Sequence, residues 1–270
     1  MTTELQRSGV SATLARAKGA RRAALIGYLP VGYPDVDTSI EAMVTMVRAG
    51  VDVVEIGVPY TDPLMDGPII QTAATGALAA GVRVRDVFRA AEAVAGAGAS
   101  CEVMTYWNPV LRYGVDAFAR DLASSGGSGL ITPDLVPDEA ADWIAASDAH
   151  GLDRVFLIAP SSTPERLVTT TAACRGFVYA ASLMGVTGAR SSVGSAAAEL
   201  VRRAREVTDT PLCVGLGVST GEQAHEVAGF ADGVIVGSAL VATLVQAPDN
   251  RAGLIALAAK ATELAEGVRQ

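Results

Sequence analysis

The run Val51-Asp-Val-Val-Glu55-Ile-Gly57-Val-Pro-Tyr-Thr-Asp62-Pro-Leu-Met-Asp66-Gly-Pro68 contains the unit from which the fold can be read. Val51–Gly57 is a short, apolar, β-branched segment of the kind that forms a fully buried strand. A loop rich in proline and glycine follows. The same succession of strand, loop and helical stretch recurs outward in both directions. Candidate strands are Ala23–Leu29, Val51–Gly57, Cys101–Tyr106, Gly129–Thr132, Arg154–Ala159, Phe177–Ser182, Leu212–Gly217 and Gly233–Gly237, eight in all. Between the first two lies a helical stretch, Ser39–Arg48, with Ile40, Met43, Val44 and Val47 at the spacing of one helix face. Its expected start is a capping box, Thr38-Ser-Ile-Glu41, and its expected stop is Gly50. Thr163-Pro164 reads as another helix start, a hydroxyl cap followed by proline at the first helical position.

Strands that alternate with helices pair in parallel through right-handed crossovers. Eight such units in 270 residues predict a closed (β/α)8 TIM barrel, one domain spanning residues 1–270. Residues 1–22 are expected to be an N-terminal helical extension that plugs the bottom of the barrel. A doubly wound open sheet is the competing architecture. Its dinucleotide form needs a glycine-rich turn after the first strand, and the first strand here runs into Tyr28-Leu-Pro-Val-Gly-Tyr-Pro34.

Half of the residues are hydrophobic and 19% are charged, a balance that suits a large buried core. The net charge of −8 repels phosphate backbones at long range, so nucleic acid is not an expected partner. The apolar runs are too short to span a bilayer, and Met1–Arg22 lacks the apolar core of a secretory signal. The cytoplasm is the expected compartment. Cys101, Cys174 and Cys213 match no zinc spacing, and with only His150 and His225 no histidine-rich metal site is expected. Cys101 and Cys213 read as buried small hydrophobes.

In a barrel of this kind, chemistry sits at the C-terminal ends of the strands and in the loops after them. Glu55 stands inside a run that should be apolar on both faces. Desolvation there raises a carboxyl toward the range useful for a general acid or base. The alternative is a structural glutamate paired with an arginine from a neighbouring strand. The loop that follows carries Asp62 and Asp66, and loops this long at this face are usually lids or catalytic loops. The alternative is that both merely cap turns or the next helix. The last three units look like a phosphate site. Glycines follow each strand at Gly185 and Gly188, at Gly215 and Gly217, and at Gly237. Gly237-Ser238 opens a short helical stretch, Ala239–Val245, whose N-terminus favours an anion. No strand-end lysine, serine elbow or metal cluster is present in the sequence, which leaves acid–base chemistry on a phosphorylated substrate.

With these segments assembled, the chain resembles tryptophan synthase alpha subunits over nearly its whole length. The resemblance is carried by Glu55-Ile-Gly-Val-Pro-Tyr-Thr-Asp62-Pro-Leu-Met-Asp66-Gly-Pro, Met104-Thr-Tyr-Trp-Asn108-Pro, Gly185-Val-Thr-Gly188 and Gly237-Ser238, in the family's order. It implies a lyase that cleaves indole-3-glycerol phosphate to indole and glyceraldehyde 3-phosphate, in tryptophan biosynthesis. It implies Glu55 as the acid/base that shuttles protons and Asp66 as the acceptor for the indole N–H. Tyr179 resembles the tyrosine at the base of the pocket, and Tyr28, Met104, Ile131 and Leu216 match positions lining the indole cavity. Gly188, Gly217, Gly237 and Ser238 fall on phosphate-binding positions, and Thr187 on a loop that closes the site. The chain itself is implied to hold no cofactor or metal. A beta-subunit partner carrying pyridoxal phosphate is implied, in an alpha2-beta2 heterotetramer, with contacts around Asp62-Pro63 and Tyr106–Pro109. Departures from the family pattern are Thr61, Met65 and the Leu183-Met184 pair. A standalone indole-releasing lyase has the same catalytic residues. Another phosphate-binding barrel isomerase would share the glycines but not the Glu55 and Asp66 spacing.

Overall fold

The computed structural model describes residues 9–181, 193–215 and 217–270, with the side chains of residues 193 and 194 excluded. Among these residues nine parallel strands form one sheet: β1 (Ala24–Pro30), β2 (Val53–Gly57), β3 (Ser100–Met104), β4 (Gly129–Ile131), β5 (Asp153–Val155), β6 (Leu157–Ile158), β7 (Val178–Ala181), β8 (Leu212–Gly215) and β9 (Gly233–Val236). The order around the sheet is β5-β4-β3-β2-β1-β9-β8-β7-β6. Its two ends, β5 and β6, are consecutive pieces of one chain segment interrupted at Phe156. The eight expected strands are therefore the eight staves, with the fifth broken in two, and the sheet closes through the covalent chain. A row of paired residues that leaves β1 at Pro30 returns at the level of Arg22, a shift of eight residues, the shear of a (β/α)8 barrel.

That shear sorts the inward side chains into layers drawn from alternate staves. Tyr28, Met104, Leu157 and Gly215 form the layer at the mouth. Glu55, Ile131, Tyr179 and Ile235 lie beneath it, and Ile26, Glu102, Val155 and Cys213 beneath those. Apolar members of these layers form an interior core with Phe177, separate from the larger core between the sheet and the surrounding helices.

The helix Gly9–Gly19 closes the bottom. Val10, Leu14 and Ala17 belong to the interior core, and Thr13 Oγ1 lies 2.9 Å from Ser100 Oγ at the start of β3. The expected plug is present within residues 9–19. The expected Ala239–Val245 helix runs Ser238–Val245, and Thr163 caps Pro164–Ala173 by accepting from the Arg166 N–H. The capping box at Thr38 is corrected. The helix starts earlier, at Val36, because Asp35 accepts from the Thr38 N–H and supplies the cap itself. All three cysteines are free, and Cys101 and Cys213 are buried in their strands, as expected of small hydrophobes. No helix among the described residues is long and apolar enough to cross a membrane.

Because Leu14 fills the barrel floor at 3% exposure, Leu14→Ala should lower stability by about 2–4 kcal/mol. Ile255→Ala, at a side chain 63% exposed, should change it by less than about 0.5 kcal/mol in the same denaturant titration.

Candidate active site

Glu55 occupies the middle of β2, and β2 is buried at every position. Strand alternation turns Glu55 inward between Val53 and Gly57, so its carboxyl enters the barrel rather than the helix layer. It is 1% exposed, and its Oε1 has no hydrogen-bond partner among the described residues. No arginine pairs with it among the described ion pairs, which removes the structural alternative. Burial pushes its carboxyl up to about 8. An acid with that proton affinity is protonated at neutral pH yet able to ionise during a reaction cycle.

Two tyrosines flank it. Tyr179 shares its layer, and Tyr28, paired with Glu55 across β1 and β2, stands above it. Burial raises both phenols far above their ordinary value, and Glu55 adds to the effect in each. They remain neutral hydroxyls. Gly57, the residue after the next along β2, leaves room for the Tyr28 hydroxyl, since a methyl group there would collide with it. Met104 and Ile131 complete the apolar wall in these two layers.

Asp66 lies in the long loop between β2 and the helix Pro68–Ala79. It does not cap that helix, whose cap position is Gly67 with no side-chain hydrogen bond. Its Oδ1 accepts from the Tyr106 hydroxyl at 3.3 Å, and burial raises its carboxyl above the ordinary value. Its charge, with that of Glu55, raises the Tyr28 phenol, so both carboxyls bear on one hydroxyl. Asp62, by contrast, accepts from its neighbour Thr61 in a local turn contact. Tyr106 is a residue that sequence reasoning placed only on the partner-facing rim. Its hydroxyl also accepts from the Leu64 and Met65 N–H groups at 2.9 and 3.0 Å, which pins the acid-bearing loop over the mouth. A tyrosine just past a strand end gave no signal of that role in the sequence.

The segment expected to hold an anion, Gly237-Ser238, lies beside Tyr28. Gly237 caps the helix Ser238–Val245, whose first N–H groups have no partner within the helix. A methyl group on Gly237 would come 3.5 Å from the Tyr28 ring, and one on Gly67 would come 4.0 Å from Ser238 Oγ. The loop after β2 and the loop after β9 therefore meet at the mouth. Gly217 follows β8, the neighbour of β9, and takes a left-handed conformation with φ of 66°. Thr187, Gly188 and Leu216 lie outside the described residues, as does the Leu183-Met184 pair.

Missing from the sequence reading was Glu102, on β3 beside Glu55. It is 0% exposed, and the same signal, an acid in an apolar run, could have found it.

The family profile described as tryptophan synthase alpha chain matches residues 14–269. The chain belongs to that family. It is 66% identical over 249 residues to the tryptophan synthase alpha chain of Mycobacterium avium (strain 104), covering 92% of this chain and 90% of that one. With the alpha chain of Salinispora arenicola (strain CNS-205) it shares 63% identity over 261 residues, covering 97% of each. Among solved structures, Mycobacterium tuberculosis tryptophan synthase superposes with a TM-score of 0.91 at 59% identity, covering 98% of this chain and 100% of that one. The alpha subunit from Legionella pneumophila str. Paris gives 0.88 at 30% identity, covering 97% and 98%.

The raised proton affinity of Glu55 has a consequence for stability. Between the ordinary glutamate value and about 8 the folded chain holds a proton that the unfolded chain has released, so stability falls as pH rises through that window. Glu55→Gln removes this loss. Its melting temperature should exceed that of the parent clearly at pH 8 and by much less at pH 5.

Proposed function

We propose that this chain cleaves indole-3-glycerol phosphate to indole and glyceraldehyde 3-phosphate with Glu55 and Asp66 as its two catalytic carboxyls. Membership of the family supplies the reaction, a carbon–carbon lyase step of tryptophan biosynthesis. The observation that carries the residue assignment is the buried Glu55 carboxyl, its Oε1 without a donor among the described residues, facing the mouth beside Tyr28, with the helix start at Gly237 on the far side of the same ring.

The phosphate would sit on the amides at Gly237 and Ser238, with Gly217 and Gly188 beside them, held by hydrogen bonds and the helix N-terminus. The indole would lie against Tyr28, Met104, Ile131, Tyr179 and Leu216. Asp66 then accepts the indole N–H and offsets the positive charge that develops as carbon 3 is protonated. Glu55 enters protonated and gives its proton to carbon 3. As a carboxylate it takes the proton of the side-chain hydroxyl next to the breaking bond. The carbon–carbon electron pair returns to the ring, the alcohol becomes an aldehyde, and Glu55 ends with a proton as it began. No cofactor enters this balance, and the alpha chain carries none of its own. Pyridoxal phosphate belongs to the beta subunit. Thr187 is assigned to closing the site over bound substrate.

The beta subunit is the partner. Leu64, Met65, Leu111 and Val136 are large apolar side chains exposed on segments that follow β2, β3 and β4, and they support docking at this part of the rim. The three free cysteines support a reducing compartment, the cytoplasm. We assign the whole chain to one barrel domain with an N-terminal helical extension.

Indole release from indole-3-glycerol phosphate, with and without a beta subunit, tests the assignment. Glu55→Gln should lose at least about 10²-fold in kcat while still binding a phosphate-bearing substrate analogue. Turnover like the parent's would remove Glu55 from the mechanism. Gly237→Asp has room for its first carbon, so it should fold and raise KM for the phosphorylated substrate by placing a charge against the phosphate. An unchanged KM would take the phosphate away from this loop.

A further inference from the structure

The barrel interior holds more acid than the reaction uses. Glu102, one layer under Glu55, is wholly buried, and among the described residues no N–H or hydroxyl donates to either of its oxygens. Its side chain approaches Asp153, also 0% exposed, at the start of β5. The strand between them, β4, presents Gly129 at the paired position, and a methyl group there would overlap Asp153. The missing side chain is what lets two carboxyls from staves that are not neighbours meet inside the barrel.

Two carboxyls that face each other in a dry interior do not both ionise, because each charge opposes the other and neither is solvated. Arg175, whose Nε is 3.9 Å from Asp153 Oδ1, favours the charge on Asp153. Glu102 then keeps the proton and can donate it to Asp153. Burial, Asp153 and Glu55 all act to hold the Glu102 proton on.

We propose that Glu102 and Asp153 form a carboxyl pair sharing one proton, a positioning device whose single negative charge opposes ionisation of Glu55 above it. This rests on Glu55 being the proton-transferring acid. The other titratable groups facing the column are the neutral Tyr28 on β1 and Tyr179 on β7, Cys213 on β8, and Asp66 from the loop after β2. Beside the pair, Cys101 on β3 is raised to about 12 and stays a thiol. From the plug helix, Arg16 is engaged with Thr13. None of these acidic or thiol groups carries a positive charge, and Arg175 stands at 3.9 Å from Asp153.

The test is the pH dependence of kcat/KM for indole release, whose alkaline limb reports loss of the Glu55 proton. Asp153→Asn removes the charge and should move that limb to lower pH by about one unit, the size expected for one charge roughly 10 Å away at an effective dielectric of about 20. Glu102→Gln keeps the charge on Asp153 and should leave the limb in place. A limb unmoved in Asp153→Asn overturns the proposal. A second measurement does not depend on that variant folding. In Glu55→Gln protein, infrared spectra at pH 8 should show a protonated carboxyl that disappears in the Glu55→Gln, Glu102→Gln double variant. Absence of that band, or its survival in the double variant, also overturns the proposal. If Glu55→Gln itself still releases indole, the role of Glu55 fails separately, and the infrared band still decides whether the pair exists.

Discussion

The account depends on the withdrawal of one carboxyl from water. Glu55 is placed on the inner face of a strand whose every residue is buried, and no donor among the described residues reaches its Oε1. Burial without a partner is unfavourable for an ionised carboxylate and much less so for the neutral acid. The barrel therefore keeps a proton on Glu55 at a pH where an exposed glutamate would have lost it. Under the mechanism proposed above, the stability given up at this position is what would let the group both give and take a proton in one reaction.

The barrel geometry turns that local fact into a site. The eight-residue shear brings Tyr179 from β7 into the layer of Glu55 and puts Tyr28 in the layer above. Tyr28 is then shared by both halves of the mouth. Its phenol feels Glu55 and Asp66, and its ring packs beside Gly237 at the head of the helix that offers free amides. The two carboxyls and the proposed phosphate-binding helix start are thus separated by one aromatic side chain. Tyr106 adds the remaining constraint by tethering the Leu64 and Met65 amides, so that Asp66 is held over the opening by a hydrogen bond to the same hydroxyl.

Much of this was legible in the residues. Eight apolar runs separated by helical stretches specify parallel staves, and the boundaries of β2 and β9 fall within two residues of those expected. Glu55 was visible because a charge inside a β-branched run violates the pattern around it. Asp66 was ambiguous from spacing alone, since an aspartate before a proline-started helix is a common cap, and only the observed geometry showed Gly67 taking that place. The break of the fifth stave at Phe156 and the cap at Asp35 depend on local backbone conformation that composition does not report. Glu102 was passed over although it carries the same anomaly as Glu55, and its approach to Asp153 across Gly129 is set by strand register, which a single sequence does not display.

The most direct measurement is a carbon-13 NMR titration of the side-chain carboxyl of Glu55 in the intact alpha chain without substrate, assigned by its loss in Glu55→Gln. The account requires a midpoint near 8, the value burial imposes. A midpoint near 4.5, the ordinary glutamate value, would mean that water or a cation reaches the group, and the proton carrier would have to be sought elsewhere.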